Sequence, residues 1–508
     1  MRRLVANRYV LALLVVIALA AEFGLASLSH HPAALAAGPR TPAPARATVS
    51  TALRACPSPG SAGATASGLA VAAASSGTGQ AQVTRLSPVG VTAAPAPLHV
   101  LTRPGQLSLV NVSTAPPLPR GLAQAAGGGA AVPASPERGG VMVSAAGAMA
   151  RGLEVEQTSA GGLATAPCLG PGSGFWFVGP GQKSAADIEL YLMNTDGQAA
   201  DASVHVFTDS GPVLGSTDAG IGVPPHGMVV QSLSGLVHGS RDVALNVTTS
   251  VGRVVAAVLE TSGPGQPGAW LPASQPPATT QVLPGLPASP GGRQLYVAVP
   301  GTGNAQIKVT AITARGSYVP TGGAGIELPG GSAVSVAIPS LGGIASAIRV
   351  SSNVPVTASM SVPGGAAGAP GAFTASAGPL QEQGVIAGNP GGPGGGTSSL
   401  VLSAPKGAAQ VQVTELTAAG QSAAGASGPR TVGILAGHSV VVTLAAPRQG
   451  GRSSAFAVVV TPMAGSGPVY AGRVVSQAGV VRSILPVTSS LTWVPLPAVR
   501  NSVTTGLP

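Results

Sequence analysis

The chain has 508 residues, of which 74 are Gly and 48 Pro; 44% are hydrophobic, 8% charged and 3% aromatic, and the net charge is +10. Charge this sparse excludes a highly charged disordered chain and a long helical bundle rich in Glu and Lys, and the length leaves room for three or four domains of ~100–150 residues. The basic side is 22 Arg against Lys183, Lys308 and Lys406, scattered singly and without the clustered stripe of a nucleic-acid binder, so no nucleic-acid partner is expected.

Arg2, Arg3 and Arg8 precede an uncharged run from Tyr9 to Ala21, and Glu22 to Leu28 extend its apolar character. A basic stretch ahead of an apolar one reads as an export signal with the arginines cytoplasmic. Read as one span, Tyr9 to Leu28 has the ~20 residues of a transmembrane helix. Ala34-Leu35-Ala36 fits a cleavage site but lies far from Ala21. Residues 1–36 are therefore expected to be an uncleaved signal anchor, with a cleaved signal peptide and a secreted product as the alternative. Residues 37–47 read as an extended stalk.

Beyond the stalk the chain repeats itself. Ala202 to Phe207, Ala305 to Thr310 and Ala409 to Thr414 each alternate with period two, followed by Gly211, Gly316 and Gly420. Gly227-Met228-Val229-Val230 then matches Gly331-Ser332-Ala333-Val334 and Gly437-His438-Ser439-Val440. Strands at Ala244, Ala347 and Ala457 come next, with closing strands at 254–259, 354–362 and 469–475. Short strands at such spacing predict an all-β fold of tandem immunoglobulin-like antiparallel β-sandwich modules behind the N-terminal helix. The expected boundaries are a degenerate first module at 48–168, with strands near Ala81, Leu107, Val141 and Leu153, an acidic second at 169–275, a third at 285–386 and a fourth at 398–508. Linkers are expected at 272–284 and 387–397. Small core side chains predict individually marginal modules strung as a rod or spacer.

Cys56 and Cys168, the two cysteines of an exported chain, are expected to form a disulfide bracketing the first module. Residues 169–275 carry eight acids against three basic residues, whereas 276–508 carry three acids against eleven. No HExxH, GxSxG or Asp-rich calcium loop occurs. The Gly/Pro stretch 263–268 matches GxGxxG only formally, because its prolines forbid a phosphate-cradling turn into a helix. No catalytic residue, cofactor or metal ligand is therefore assigned. The candidate ligand contacts are Trp176, in the aromatic run Phe175-Trp176-Phe177; Asp187 and Glu189, on one face of a strand; and His205, on a solvent face between Val204 and Val206.

The stretch from Cys168 through Phe175-Trp176-Phe177 to Ala186–Asn194, with Ala202–Phe207 and Asp209-Ser210-Gly211-Pro212, resembles a family of actinobacterial exported proteins catalogued only as a domain of unknown function. Thr195 and Asp196 after the Asn, and Phe175 before the Trp, depart from its pattern. The resemblance implies a cell-envelope location, a single N-terminal membrane segment and no assigned activity. The expected function is a membrane-anchored, extracytoplasmic, non-enzymatic scaffold or binding protein whose partner is an envelope glycan or protein. The alternatives are a carbohydrate-active hydrolase using the second module's acids and an accessory subunit of a membrane glycosyltransferase.

Overall fold

A computed structural model describes residues 13, 15–17, 19–21, 46–57, 67–88, 97–112, 139–159, 165–183, 185, 187–213, 220–261, 268–289, 291–339, 341–363, 372–391, 396–418, 428–449 and 452–496. Most of the expected membrane span, the Ala34–Ala36 site, the stalk up to residue 45, the loop 121–138, the 263–267 turn and Gly420 lie outside them. The described chain is all-β apart from one short helix. It divides into a small unit, Met1–Ala47 with Val494–Pro508, and a large one, Thr48–Trp493. In the small unit Leu13, Val15, Val16, Ile17 and Leu19 are helical and more than half exposed. No described helix is long and apolar enough to cross a membrane.

The large unit holds four two-sheet sandwiches. In the second, one sheet runs Gly174–Pro180, Asp242–Val251, Ala200–Thr208, Gly211–Val213, and the other Gly227–Ser232, Asp187–Met193, Val255–Thr261, Ala269–Leu271. The same order recurs in the other three. The first, third and fifth main strands share one sheet, and the second, fourth, sixth and seventh share the other. Immunoglobulin domains instead place the first, second, fourth and fifth together, so the chain has the sandwich architecture with a different strand order. Alternating residues fill the space between the sheets: Ala202, Val204 and Val206 of Ala200–Thr208 are buried in the second core, and Ile307, Val309 and Ala311 of Ala305–Thr313 in the third.

The third sandwich corrects a boundary. Residues 272–284, expected as a linker, enter the nine-residue strand Ala278–Leu286, which pairs with Ser346–Val362. Likewise Gly384–Asn389 is the first strand of the fourth sandwich and runs into the expected 387–397 linker. Ser346–Val362 is itself a single 17-residue strand. Its first half pairs with Ala305–Thr313 and its second with Arg293–Val299 and Ala372–Ala375, so it belongs to both sheets.

A rod is also corrected, because the sandwiches close into a cycle. First and second share a hydrogen-bonded sheet through Gly227 and Met228 beside Ser87 and Pro88. Tyr191, Met193 and Met228 pack there with Ala55, Leu86 and Met142. The third meets the second where Ser359 Oγ donates to the Val178 carbonyl at 2.5 Å and Ser335 donates its N–H and Oγ to Asp242 Oδ2, each at 2.9 Å. Third and fourth touch backbone to backbone: a Cβ on Gly472 would stand 2.4 Å from Gly285 Cα. The fourth then returns to the first, with Leu107 N–H donating to the Thr417 carbonyl at 2.9 Å and Ala70, Ala72 and Leu107 packed with Val385, Ala387, Ala457 and Val459. Every sandwich therefore has two neighbours, and the thin cores are completed by shared surfaces.

Candidate functional site

Pleating sorts the candidate residues before any chemistry is considered. On Gly174–Pro180, Phe177 points into the second core, so Trp176 and Val178 face outward. Register places Trp176 opposite Asn246, and Asn246 opposite His205. Trp176, Asn246 and His205 thus form one cross-strand row on the outer face, with the Gly174–Thr248–Ser203 row beside it.

The row is graded from buried to wet. Trp176 is 9% exposed, its ring stacked on Phe207 at a centroid distance of 5.9 Å, and its carbonyl accepts from Ser274 N–H at 2.8 Å. Asn246, Thr248 and Ser203 are half-buried and His205 is exposed. One row along, Val178 and Ala244 belong to the apolar cluster that includes Tyr296 and Ala298 of the third sandwich. The polar row therefore starts where that joint ends. It offers hydroxyl, amide and imidazole groups beside an aromatic wall, donors and acceptors suited to a hydroxylated or peptide ligand.

Asp187 and Glu189 lie elsewhere. Both occupy the outer face of the opposite sheet, the face that carries Tyr191 and Met193 into the joint with the first sandwich. Asp187 Oδ1 accepts from Ser234 Oγ and, at 3.3 Å, from Ser232 Oγ. Glu189 Oε2 accepts from Tyr191 Oη at 2.6 Å, and Tyr191 meets Trp270 edge-on at 5.3 Å. The two acids share a face, but a two-sheet sandwich separates them from Trp176 and His205, so the four candidates form two groups.

The strongest electrostatic features sit at the joints. Glu260 is buried in the second sandwich with Oε2 unbonded, and burial pushes its carboxyl up to about 7. Burial also raises Asp242, against the Ser335 hydrogen bonds that hold it charged, and pushes the nearby Tyr296 hydroxyl up to about 12. Between the fourth and first sandwiches, Glu156 and Arg473 form an ion pair at 3.1 Å with neither side chain exposed, and Arg473 also donates to the Gly388 carbonyl. Arg54 lies 3.5 Å from Glu154, whose carboxyl is pushed up to about 7 by burial and by Glu156, with Arg54 opposing. Sequence reasoning passed over these groups. The alternation Leu153-Glu154-Val155-Glu156 already puts two acids on one outer strand face, and that was the available signal. Cys56 and Cys168 form the expected disulfide, both fully buried. Among the described residues no group of three His, Cys, Asp or Glu is placed to hold a metal ion.

These features define a tandem β-sandwich protein with a polar row on its second sandwich. The chain belongs to the family of unknown function DUF5719, whose model matches residues 122–445. No curated protein and no solved structure matches it.

Proposed function

We propose that this chain is a membrane-anchored, extracytoplasmic envelope protein that acts as a scaffold and holds a surface glycan, or failing that a protein, on the outer face of its second sandwich. The observation that carries the reading is the Trp176–Asn246–His205 row, polar and open at one end and set against an aromatic wall at the other. Sheet faces of this kind bind through convergent hydrogen bonds and apolar contact. The cycle of joints supports the scaffold role, since it fixes that face on a frame with shared cores. The exposed apolar helix residues Leu13, Val15, Val16, Ile17 and Leu19 support the Tyr9–Leu28 run as the anchor, with the arginines on the cytoplasmic side.

The test uses the full chain in detergent micelles, with envelope polysaccharide as the probe. Binding without turnover, weakened at least tenfold in N246A/H205A, is the expected result. Hydrolysis lost in D187N or E189Q would replace this reading with the hydrolase. Retention of the protein in washed membranes, abolished by removing residues 1–36, is expected from the anchor; recovery of a processed chain in the medium would overturn it.

A further inference from the structure

We propose that the third sandwich carries a binding site for an acidic glycan, centred on Arg349. All four sandwiches place a cross-strand row at the same point, where the first strand of each meets the segment that leaves its last one. Ala55 N–H donates to the Leu169 carbonyl at 2.9 Å, Ser274 N–H to Trp176 at 2.8 Å, Ala377 N–H to Val282 at 2.9 Å, and Val385 N–H to Ser490 Oγ at 3.2 Å. The rows are Ala55–Met142–Thr84, Trp176–Asn246–His205, Val282–Arg349–Thr310 and Val385–Val459–Thr414. Each lies on an outer sheet face; in the third sandwich Val309, Ile348 and Val350 point into the core and leave Arg349 outside. At the centre of the row, Met142 and Val459 are buried in joints and Asn246 is neutral, so Arg349 alone brings a charge.

That charge has no partner. Among the described residues Arg349 makes no hydrogen bond or ion pair, and its Nε is buried without an acceptor. Its terminal nitrogens, equally unbonded, stay open to solvent on a half-buried residue. A buried donor without an acceptor costs free energy, so packing does not explain an arginine where Met142 and Val459 supply apolar groups. Lys308 lies on the same outer face one row along, exposed, in the row Thr280–Ser351–Lys308. The two cations are diagonal neighbours on adjacent strands, within reach of each other's long side chains, where like charges repel. Glu327 is the only acid on the described strands of this sheet; it pairs with Gln306 at the edge, and its Oε1 accepts from Asn304 Nδ2 at 3.2 Å.

The surroundings define the ligand. Tyr470 of the fourth sandwich, half-buried, packs on Val282, Ile312 and Ala347 and stands at the Val282 end of the row, as Trp176 closes the row of the second sandwich. The guanidinium and ammonium groups take the oxygens of a carboxylate or phosphate, the Thr280 and Ser351 hydroxyls suit sugar hydroxyls, and the tyrosine ring suits the C–H face of a sugar. Two basic residues are too few for the many phosphate contacts that hold a nucleic acid. The site rests on the glycan-holding reading of the second sandwich only for the kind of polymer; its residues and its charge are separate.

The experiment measures binding of an oligogalacturonate, and of a neutral cello-oligosaccharide of equal length, to the full chain in detergent micelles. The acidic oligomer is expected to bind more tightly, with an affinity that falls as salt is added and drops about tenfold or more in R349Q and in R349M. R349M, which installs the residue found at Met142, is expected to melt no lower than the parent. N246A/H205A is measured in parallel. If it leaves binding intact while R349Q weakens it, the second-sandwich row is lost as a glycan face and the Arg349 site stands; the reverse pattern overturns the Arg349 site alone. Equal affinity for the two oligomers, no binding of either, or a lowered melting temperature in R349M would each overturn the proposal. Inorganic phosphate that displaces the acidic oligomer at equal concentration would replace the glycan by a free anion.

Discussion

Glu156 and Arg473 meet at 3.1 Å, fully buried, one on a strand of the first sandwich and the other in the fourth. Arg473 starts on the inner face of its own sandwich and reaches the partner past Gly388, where a Cβ would stand 2.7 Å from Glu156 Oε2. A buried pair of this kind adds little net stability, yet losing one member strands the other charge. R473M is therefore expected to cost about 3–5 kcal/mol. The double variant E156L/R473M should recover most of it, as read from a double-mutant cycle in denaturant. Additive losses would show that the two residues act separately.

Glu260 sets a pH dependence at the second sandwich. Its carboxyl is raised by burial to about 7 in the folded chain against 4.5 in water, so the folded state holds the proton more tightly. This group's contribution to stability is fully present below pH 4.5 and is lost as pH rises through about 7, by an amount on the order of 3 kcal/mol. E260Q should flatten that part of the stability profile and raise the melting temperature at pH 8. An unchanged profile in E260Q would assign the slope to another group.

The disulfide closes a loop of 112 residues, which in the chain-entropy model stabilises the fold by about 4–5 kcal/mol. Its loop encloses the first sandwich, so C56S/C168S should lose amide protection there first. Hydrogen exchange followed by mass spectrometry reads this directly: faster exchange in Ser67–Ala73 and Leu153–Ser159, with Thr397–Ala404 little changed, is expected.

Gly472 and Gly285 let two backbones touch at the third-to-fourth joint. G472A places a methyl group against backbone that has no side chain to move, and overpacking of this kind costs about 1–3 kcal/mol. G479A, where Gly479 has φ +78° but open space around it, acts as a control for strain alone. If G472A destabilised no more than G479A, the close approach would carry no energetic weight.

Much of the strand content is legible in the sequence, because the strands Ala200–Thr208, Ala305–Thr313 and Ala409–Leu416 alternate apolar and polar residues and are punctuated by turns. The first strands of the third and fourth sandwiches are hidden. Ala278–Leu286 and Gly384–Asn389 are buried on both faces over most of their length, one behind a Pro-rich stretch and the other ahead of a Gly-rich one, so they lack alternation and read as linker. The cycle is hidden for a different reason. Its contacts are backbone carbonyls, glycine Cα atoms and alanines, and none of these leaves a pattern in one dimension. For the candidate site, alternation placed His205 outside correctly, but only register shows that Asn246 joins it to Trp176.

The buried pair between the first and fourth sandwiches also imposes an order on synthesis. Glu156 is made early and stays hydrated until Arg473 follows, near the end of the chain, so the first sandwich waits for the fourth before its outer face is sealed. A polypeptide that stops short of residue 473 leaves a carboxylate and an alanine surface open to water.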